Sequence, residues 1–556
     1  MRYIRFSYAV GLLLGATLLS GCSKELELEP ESDLLSVKQI EEAGDAFDNR
    51  ALASVDGMYA ELKLFAKFGN GRNQRDIGIP AISLELDHRT DNMWSSCIDY
   101  DWYSDALDYS SFTPDFFITR QFYNSFYNFI GAANKILLAS KEDATSEAVQ
   151  NARAQAKAFR AWAYFNLVQA YQFTYVDNKD KPAVPLVTED MTFAQLINNP
   201  RASVEKIYEF IVNNLEQAKE KLTGKGQAST NAWIDEFVVY GLLARVYLVM
   251  QQYDKAAEAA KYVIDNSGLK PYSLKEAGAP GLCDIADHNV LWGIPISSDD
   301  DVVQTGICNW ESFVSLMNGD RGYCGAGVPR CINPALHDSI HKDDVRKALW
   351  ITYLKNDKGD VIEESLDGLV NYFKVFGAMK DAEALKAARA YMDKFELEVT
   401  YANVKFGPAN NDINLEENSA DYIMMRIEEM YYIYFEALGE TAGKTAMESW
   451  IDKYRQPGYK FPAGKSFFDE IYRQRRIEFW GEMLSYYDMM RFKKGMYREG
   501  VKEIEKKKGM KYYPDKTRFN LAADDPAMLY CFPRQEILQN PGVVQNELGG
   551  EQSDTF

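Results

Sequence analysis

Between Tyr240 and Val263 the chain alternates large and small apolar residues in a pattern that suits closely packed helices. Tyr240, Leu243, Ala244 and Tyr247 recur three and four residues apart, on one helical face. Ala256, Ala260 and Val263 do the same on the next segment. The small residues let two helices approach closely, and the large ones fill the gaps between one pair and its neighbour. A lone pair of this kind leaves an apolar face uncovered, so it needs further pairs stacked on it. The chain has 556 residues. That is room for roughly three to four ordinary domains, or for one long array of such pairs.

The offsets match the tetratricopeptide pattern of a large residue, then Leu, a small residue and Tyr, with small residues on the second helix. Helical spacing returns elsewhere in more degenerate form. It predicts helices from Ala51 to Leu64, Phe122 to Leu138, Val204 to Leu222, Tyr422 to Leu438 and Phe467 to Phe492. Phe159, Trp162, Ala163, Leu167 and Ala170 share a face, with Arg153, Lys157 and Gln169 elsewhere on the wheel. Residues 66–118 and 268–420 break this periodicity and are rich in Gly, Asn, Asp, Ser and Trp. Long irregular stretches in a helical protein are usually functional loops or an inserted subdomain. The expected fold is therefore mostly α, with tetratricopeptide-like helix pairing and a loop-rich inserted subdomain. The expected parts are a helical region over 41–267 with ligand loops at about 66–118, a loop-rich subdomain over 268–420, and a C-terminal helical pair with wrapping loops over 421–556.

The N-terminus carries Arg2 and Arg5 ahead of a short apolar run from Tyr8 to Leu19. That run suits a secretory leader and is too short to span a bilayer. It ends in Leu19-Ser20-Gly21-Cys22, which resembles the bacterial lipobox. Residues 1–21 are then a signal peptide, Cys22 is the lipidated first residue, and 22–40 form the tether. The acidic run from Ser23 to Pro30 resembles the export signals of surface-exposed lipoproteins, with Lys24 as a departure. Cys97, Cys283, Cys308, Cys324, Cys331 and Cys531 remain, an even number outside the cytoplasm. Cys308, Cys324 and Cys331 lie close in sequence and are the expected partners for a disulfide.

Charge and motifs exclude several functions. Asp plus Glu number 82 against 62 Lys plus Arg, a formal net charge of −20, which argues against nucleic-acid binding by phosphate neutralisation. Four histidines and no CxxC leave little for a metal site, and His337 with His341 lack a third ligand in view. Asp299-Asp300-Asp301 reads as a solvated acidic loop. No GxSxG, P-loop or HExxH motif is present, and no cofactor is expected. Glu478, Glu482 and Asp488 could serve as acid–base carboxylates, but Arg475, Arg476 and Arg491 at helical spacing point to structural ion pairs. No enzyme activity is expected.

The unusual figure is 13% aromatic residues. Rings at that density build helical cores, and they also stack on the apolar faces of sugars. Trp162, Trp292, Trp450 and Trp480 sit in apolar patterns and read as core. The segment from Asp91 to Tyr103 instead mixes rings with carboxylates and amides and shows no helical stripe. Its candidate ligand residues are Asp91, Asn92, Trp94, Tyr100, Trp102 and Tyr103, the amides and acids taking sugar hydroxyls. A second candidate group is Asn309, Trp310, Arg321 and Tyr323, with Asn318, in a Gly-rich loop.

Several segments in order resemble the SusD/RagB family of outer-membrane nutrient-binding lipoproteins. Tyr127-x2-Ile130-x2-Ala133-Asn134-x-Ile136-Leu137 is similar to an early helix of that family. Ala156-x2-Phe159-Arg160-Ala161-Trp162-Ala163-Tyr164-Phe165 is similar to its best-known segment, with Val184-Pro185-Leu186-Val187 downstream. Met425-Arg426-Ile427-x-Glu429-x2-Tyr432-x-Tyr434-x-Glu436-Ala437 resembles a later helix. Arg475 to Glu482, continuing to Asp488-Met489-Met490-Arg491, resembles the late signature. Pro533-x2-Glu536-Ile537-x2-Asn540-Pro541 resembles the closing motif. Met483 and Ser485 depart from the Gly and Arg that the family often shows there. The resemblance implies a superhelix of about four tetratricopeptide-like pairs carrying a loop-rich inserted ligand-binding subdomain, in a lipid-anchored outer-membrane protein on the cell exterior. It would capture an oligosaccharide and deliver it to a SusC-like TonB-dependent transporter. Peptide capture is the alternative within the family. A surface glycoside hydrolase and a pure interaction scaffold are the alternatives outside it.

Overall fold

The computed structural model describes residues 47–65, 74–95, 101–110 and 112–547. Cys22, the tether, Cys97 and Tyr100 lie outside the described residues. The elements that position the site run from Phe47 to Arg491. They are α1 (Phe47–Ala60), α2 (Ile79–His88), β1 (Met93–Trp94), α3 (Phe117–Ala139), α4 (Glu147–Tyr171), α5 (Val204–Leu222), α6 (Glu236–Val249), α7 (Tyr253–Asn266), β2 (Val290–Ile294) and α8 (Trp310–Val314). The later ones are β3 (Cys331–Ile332), β4 (Trp350–Lys355), β5 (Val361–Ser365), β6 (Val399–Asn403), β7 (Tyr422–Arg426), α9 (Ile427–Ala437), α10 (Gly439–Tyr454), α11 (Phe467–Glu478) and α12 (Leu484–Arg491).

The fold is helix-rich, and neighbours in sequence are neighbours in space. Helix α4 packs between α3 and α5, α5 meets α6, α6 meets α7, α7 meets α9, and α9 meets α10. Caps set the starts: Ser146 accepts from Val149 N, Ser203 from Lys206 N and Asp235 from Val238 N. In the α6–α7 pair, Leu243, Ala244, Ala256, Ala260 and Val263 are all buried, as their spacing predicts. Tyr240 lies on the rim, stacked on Tyr262 with centroids 4.0 Å apart. Helix α4 is buried on nearly every side because helices cover it from both flanks. Its Arg160 reaches Asn134 Oδ1 on α3 at 2.6 Å and Asn214 Oδ1 on α5 at 2.8 Å, tying three helices together. Trp162, Trp292, Trp450 and Trp480 are in the core, as expected.

Three stretches differ from the periodicity. The irregular stretch 66–118 contains α2, whose ten residues are all buried. A helix covered on all faces has no polar side, so no stripe marks it. Tyr422–Arg426 is not helical: it is β7, paired antiparallel with β2 (Gly293 opposite Ile423). Phe467–Phe492 is two helices rather than one. Gly481 and Met483 both adopt positive φ (77° and 66°) and break the run. A Cβ at Gly481 would lie 2.7 Å from the Phe406 ring, so glycine is required there.

Residues 268–420 contribute most of a five-stranded antiparallel sheet in the order β1-β3-β6-β4-β5. Its first strand comes from far upstream, with Met93 opposite Ile332 and Trp94 opposite Cys331. At the other edge, β5 is solvent-exposed along most of its length and carries Glu363 and Glu364. Charges of that kind discourage pairing with another chain.

The late-helix charges do form ion pairs, but mostly not with one another. Glu478 accepts from Arg426 and Arg455 at 2.8 Å and from Arg346 at 2.9 Å. Glu482 accepts from Arg426 at 2.8 Å and Lys405 at 2.5 Å. Arg475 pairs with Asp488 across the break at 2.7 Å, and Arg491 pairs with the same Asp488 at 3.0 Å. Burial pushes the Glu478 carboxyl up, but Arg455 and Arg426 outweigh it and hold it well below the usual range. The Lys405 ammonium also takes the carbonyls of Glu478 (2.9 Å) and Trp480 (2.7 Å). This network pins the strand-rich region to the helical scaffold.

The thiols of Cys283, Cys308, Cys324, Cys331 and Cys531 are all free and buried, so the expected pairing among Cys308, Cys324 and Cys331 is not made. The Cys324 thiol faces the Val314 carbonyl and the Cys331 thiol faces the Pro329 carbonyl. Proximity in sequence did not bring their sulfurs together.

Candidate functional site

Helix α8 is the hub of the loop-rich face. Asn309 caps it, its side chain accepting from Ser312 N at 2.9 Å, and is fully buried. Trp310 is also buried, edge-on to Tyr422 and Phe406 with centroids 4.8 and 5.3 Å away. Glu311 points to the opposite wall, where it accepts from Ala420 N at 2.9 Å and Ala409 N at 3.3 Å. Burial lifts its carboxyl to about 7 against the pull of those donors. Phe313 stacks on Tyr323 at 4.8 Å and takes Tyr103 edge-on at 5.3 Å. One helical turn therefore holds both sequence-identified segments and the chain around 409–420.

Most of the expected ligand residues are buried in this arrangement. Asp91 pairs with Arg476 at 2.9 Å, and the same guanidinium donates to Asn92. Trp94 donates its indole N–H to Ile332 O at 2.9 Å, and its ring meets Tyr512 edge-on. Tyr103, Asn309, Trp310 and Tyr323 are committed to the α8 cluster just described. Each of these side chains is buried, with its polar atoms or ring face used inside the protein. They fix the loops to the scaffold. Arg321 is half-buried and donates to the carbonyls of Asn318 and Ile413, both at 2.9 Å. Trp102 is the exception, with 36% of its surface exposed. Its neighbours hold it: Asp101 is clamped by Arg330 at 2.6 Å, and Tyr103 is wedged against Phe313. Burial pushes the Asp101 carboxyl up, but Arg330 and His88 prevail and keep it ionised.

Behind Glu311 the loops enclose a polar concavity of about 430 Å³. Asp284, Ser297, Ser298, Asn410, Glu417 and Ser419 line it, with Asp421. Asp421 is a wall element: its two oxygens accept from Ile296 N at 2.7 Å and Ile285 N at 2.9 Å. Burial lifts its carboxyl to about 6. Asn410 sits at φ 55°, a left-handed conformation that Asn tolerates well. Hydroxyls, an amide and carboxylates converge here, the donor and acceptor set that a polyhydroxylated ligand needs. None of these lining residues was singled out from the sequence. The available signal was the run Gly407-Pro408-Ala409-Asn410-Asn411-Asp412, a turn-forming composition inside an irregular stretch. Among the described residues no group of three or more His, Cys, Asp or Glu is placed to hold a metal ion. The Asp299–Asp301 run turns one carboxylate inward, Asp300 to Lys63 at 2.6 Å.

The fold and this concavity define a class: a stack of helices that presents a loop-built polar site. Comparison with known proteins gives the family. Residues 335–549 match the model described as "SusD family", and residues 71–248 match the one described as "Starch-binding associating with outer membrane". The chain belongs to the SusD/RagB family. "SusD-like protein P2" of Formosa agariphila is 26% identical over 453 residues, 77% of this chain and 80% of that protein. A SusD-like carbohydrate-binding protein from Bacteroides vulgatus superposes with a TM-score of 0.68 at 17% identity, covering 91% of this chain and 99% of its own. A SusD superfamily protein from Bacteroides thetaiotaomicron gives 0.67 at 19%, covering 90% and 99%. A structure described as a laminarin-binding SusD-like protein gives 0.53 at 18%, covering 90% and 98%. These likenesses show the helix-rich fold. No helix among the described residues is long and apolar enough to cross a membrane.

Proposed function

We propose that this chain is a surface lipoprotein, anchored to the outer membrane through Cys22, that captures an oligosaccharide and hands it to a SusC-like TonB-dependent transporter. The carrying observation is the polar concavity of about 430 Å³ behind α8, with hydroxyl, amide and carboxylate groups converging on one space. The exposed Trp102 ring, held by the same α8 cluster, supplies a stacking surface on the loop-rich face. The starch-binding description of one matching family model and the carbohydrate-binding description of the Bacteroides vulgatus structure support the ligand class. The outer-membrane description and the lipobox-like Leu19-Ser20-Gly21-Cys22 support the location.

Binding without turnover is the reading the carboxylates favour. A glycosidase needs two carboxyl groups facing each other across a cleft, one free to donate a proton. Glu478 and Glu482 are saturated by arginines and Lys405, and Asp421 is occupied by backbone donors. Asp284, Glu417 and Asp421 also make the concavity acidic, which favours neutral or cationic glycans over sulfated or uronic ones. The test is calorimetry on the chain from Ser23 onward, against neutral, acidic and amino oligosaccharides and a peptide panel. Expected is a neutral or amino-glycan hit weakened at least tenfold by Asn410→Ala or Trp102→Ala in folded protein. A peptide hit at the same residues would replace the ligand class. Product formation from any glycan would overturn the binding-only reading.

A further inference from the structure

The connection between α5 and α6 builds a hollow of about 310 Å³ on the helical scaffold, apart from the loop-rich face. One wall is Trp233, which is half-buried, backed by Leu222, Ile234 and Ala148. Asn151, Gln227 and Ser229 stand around it, and the Glu147–Lys225 ion pair closes the rim. The hollow is fixed in advance. Glu236 Oε2 accepts from Gly224 N at 3.0 Å and Gly226 N at 2.9 Å, and both glycines sit at positive φ (81° and 73°). Asp235 Oδ2 accepts from Ala228 N at 3.1 Å. Tyr262 donates to the other oxygen of Glu236, locking the anchor to α7. On the inner side, the Tyr59 hydroxyl donates to Gln155 and accepts from Ile234 N, each at 2.9 Å.

The polar groups here are half used. The Asn151 carbonyl accepts from Gln155 and the Gln227 amide donates to Asn231, each at 2.6 Å. The remaining halves, a donor on Asn151 and an acceptor on Gln227, have no partner among the described residues. We propose that this hollow is a second saccharide site, in which Trp233 stacks on the apolar face of a sugar ring while Asn151, Gln227 and Ser229 bind its hydroxyls. The volume lies at the small end of ligand sites, enough for about one or two rings. The rim charges neutralise each other, so the selection is for a neutral ring. None of the strands described lines the hollow, so no sheet edge is offered to an extended peptide.

The experiment uses the chain from Ser23 onward, which contains every described residue, labelled with 5-fluorotryptophan. Trp102→Phe and Trp233→Phe assign two of the nine tryptophan resonances, and the others report folding. Glucose, galactose, mannose, N-acetylglucosamine, maltoheptaose and laminariheptaose are titrated in turn. Expected is a saturable shift of the Trp233 resonance with at least one sugar. Its midpoint should rise about tenfold in Asn151→Ala/Gln227→Ala, the loss of one or two neutral hydrogen bonds. A Trp233 resonance silent through the whole panel overturns the proposal, as does a shift unchanged in the double variant. The Trp102 resonance reads the loop-rich site independently, so either site can fail while the other stands.

Discussion

Replacing Glu478 by Gln keeps the shape of a buried side chain and removes one negative charge from among three guanidinium groups. Four close donor contacts converge on this carboxylate: one each from Arg346 and Arg426 and two from Arg455, at 2.8–2.9 Å. Each arginine keeps a second acidic neighbour: Asp344 for Arg346, Glu482 for Arg426, and Glu428 for Arg455 at 3.3 Å. The variant therefore does not strand a bare charge completely, and the cost sits within the range for breaking a buried pair, about 3–5 kcal/mol. Urea unfolding at pH 7.5 measures it. The sign with pH follows from the direction of the shift. A carboxyl held below its unfolded value contributes stability that is complete above the unfolded pKa and is lost as pH falls through the folded one. The gap between wild type and Glu478→Gln should then be full at pH 7.5 and narrow progressively below about pH 4.5. A loss under about 1 kcal/mol at pH 7.5, or a gap that does not shrink in acid, would refute the account of this network as paired charge.

Glu85 provides the opposite pH dependence. Burial lifts its carboxyl to about 8 despite the hydrogen bond from Tyr530 at 2.6 Å, so ionisation is a cost that grows as pH rises from about 4.5 to 8. Glu85→Gln should be near neutral at pH 4.5 and stabilising by up to a few kcal/mol at pH 8.5, read by denaturant midpoints. Gly481→Ala meets both a positive φ and the Phe406 ring, and should cost about 1–3 kcal/mol in the same assay, more than Gly500→Ala, which meets open space. The five described thiols are free and buried, and burial lifts Cys324 to about 11 and Cys531 to about 11. Ellman's reagent should leave them unreacted in native protein and titrate them only in denaturant, without prior reduction. Reaction that needs a reductant would contradict the free-thiol assignment.

The helical scaffold was legible because its signals are local. Leu243, Ala244, Ala256 and Ala260 announce a close helix pair within a span of a few turns. The capping residues Ser146, Ser203 and Asp235 are equally local. The site was less legible because exposure of a loop ring is settled by distant residues. Trp94 and Trp102 stand eight positions apart in the same kind of sequence. One finds a carbonyl at Ile332 and is buried, and the other finds no such cover among the described residues. Asn309, a ligand candidate in sequence, serves as a helix cap in the fold. The lining of the concavity, from Ser297 to Asn410, has no periodicity to read and is assembled by backbone bonds to Glu311 and Asp421. Where the late helix was read as continuous, two positive-φ residues and one aromatic contact from Phe406 decided otherwise.

The edge strand β1 has a consequence for how this protein can be cut and made. It contributes only Met93 and Trp94, yet it caps the β3 side of the sheet from 238 residues upstream, measured from Trp94 to Ile332. A fragment spanning 268–420 would leave the apolar pair Cys331–Ile332 as a bare strand edge, a template for aggregation. Residues 93–94 are synthesised long before their partners and must wait unpaired until the chain beyond 332 has emerged. Loop closure over that length makes this pairing a late event in folding. The loop-rich face is thus tied to residues 93–94 and is not self-contained.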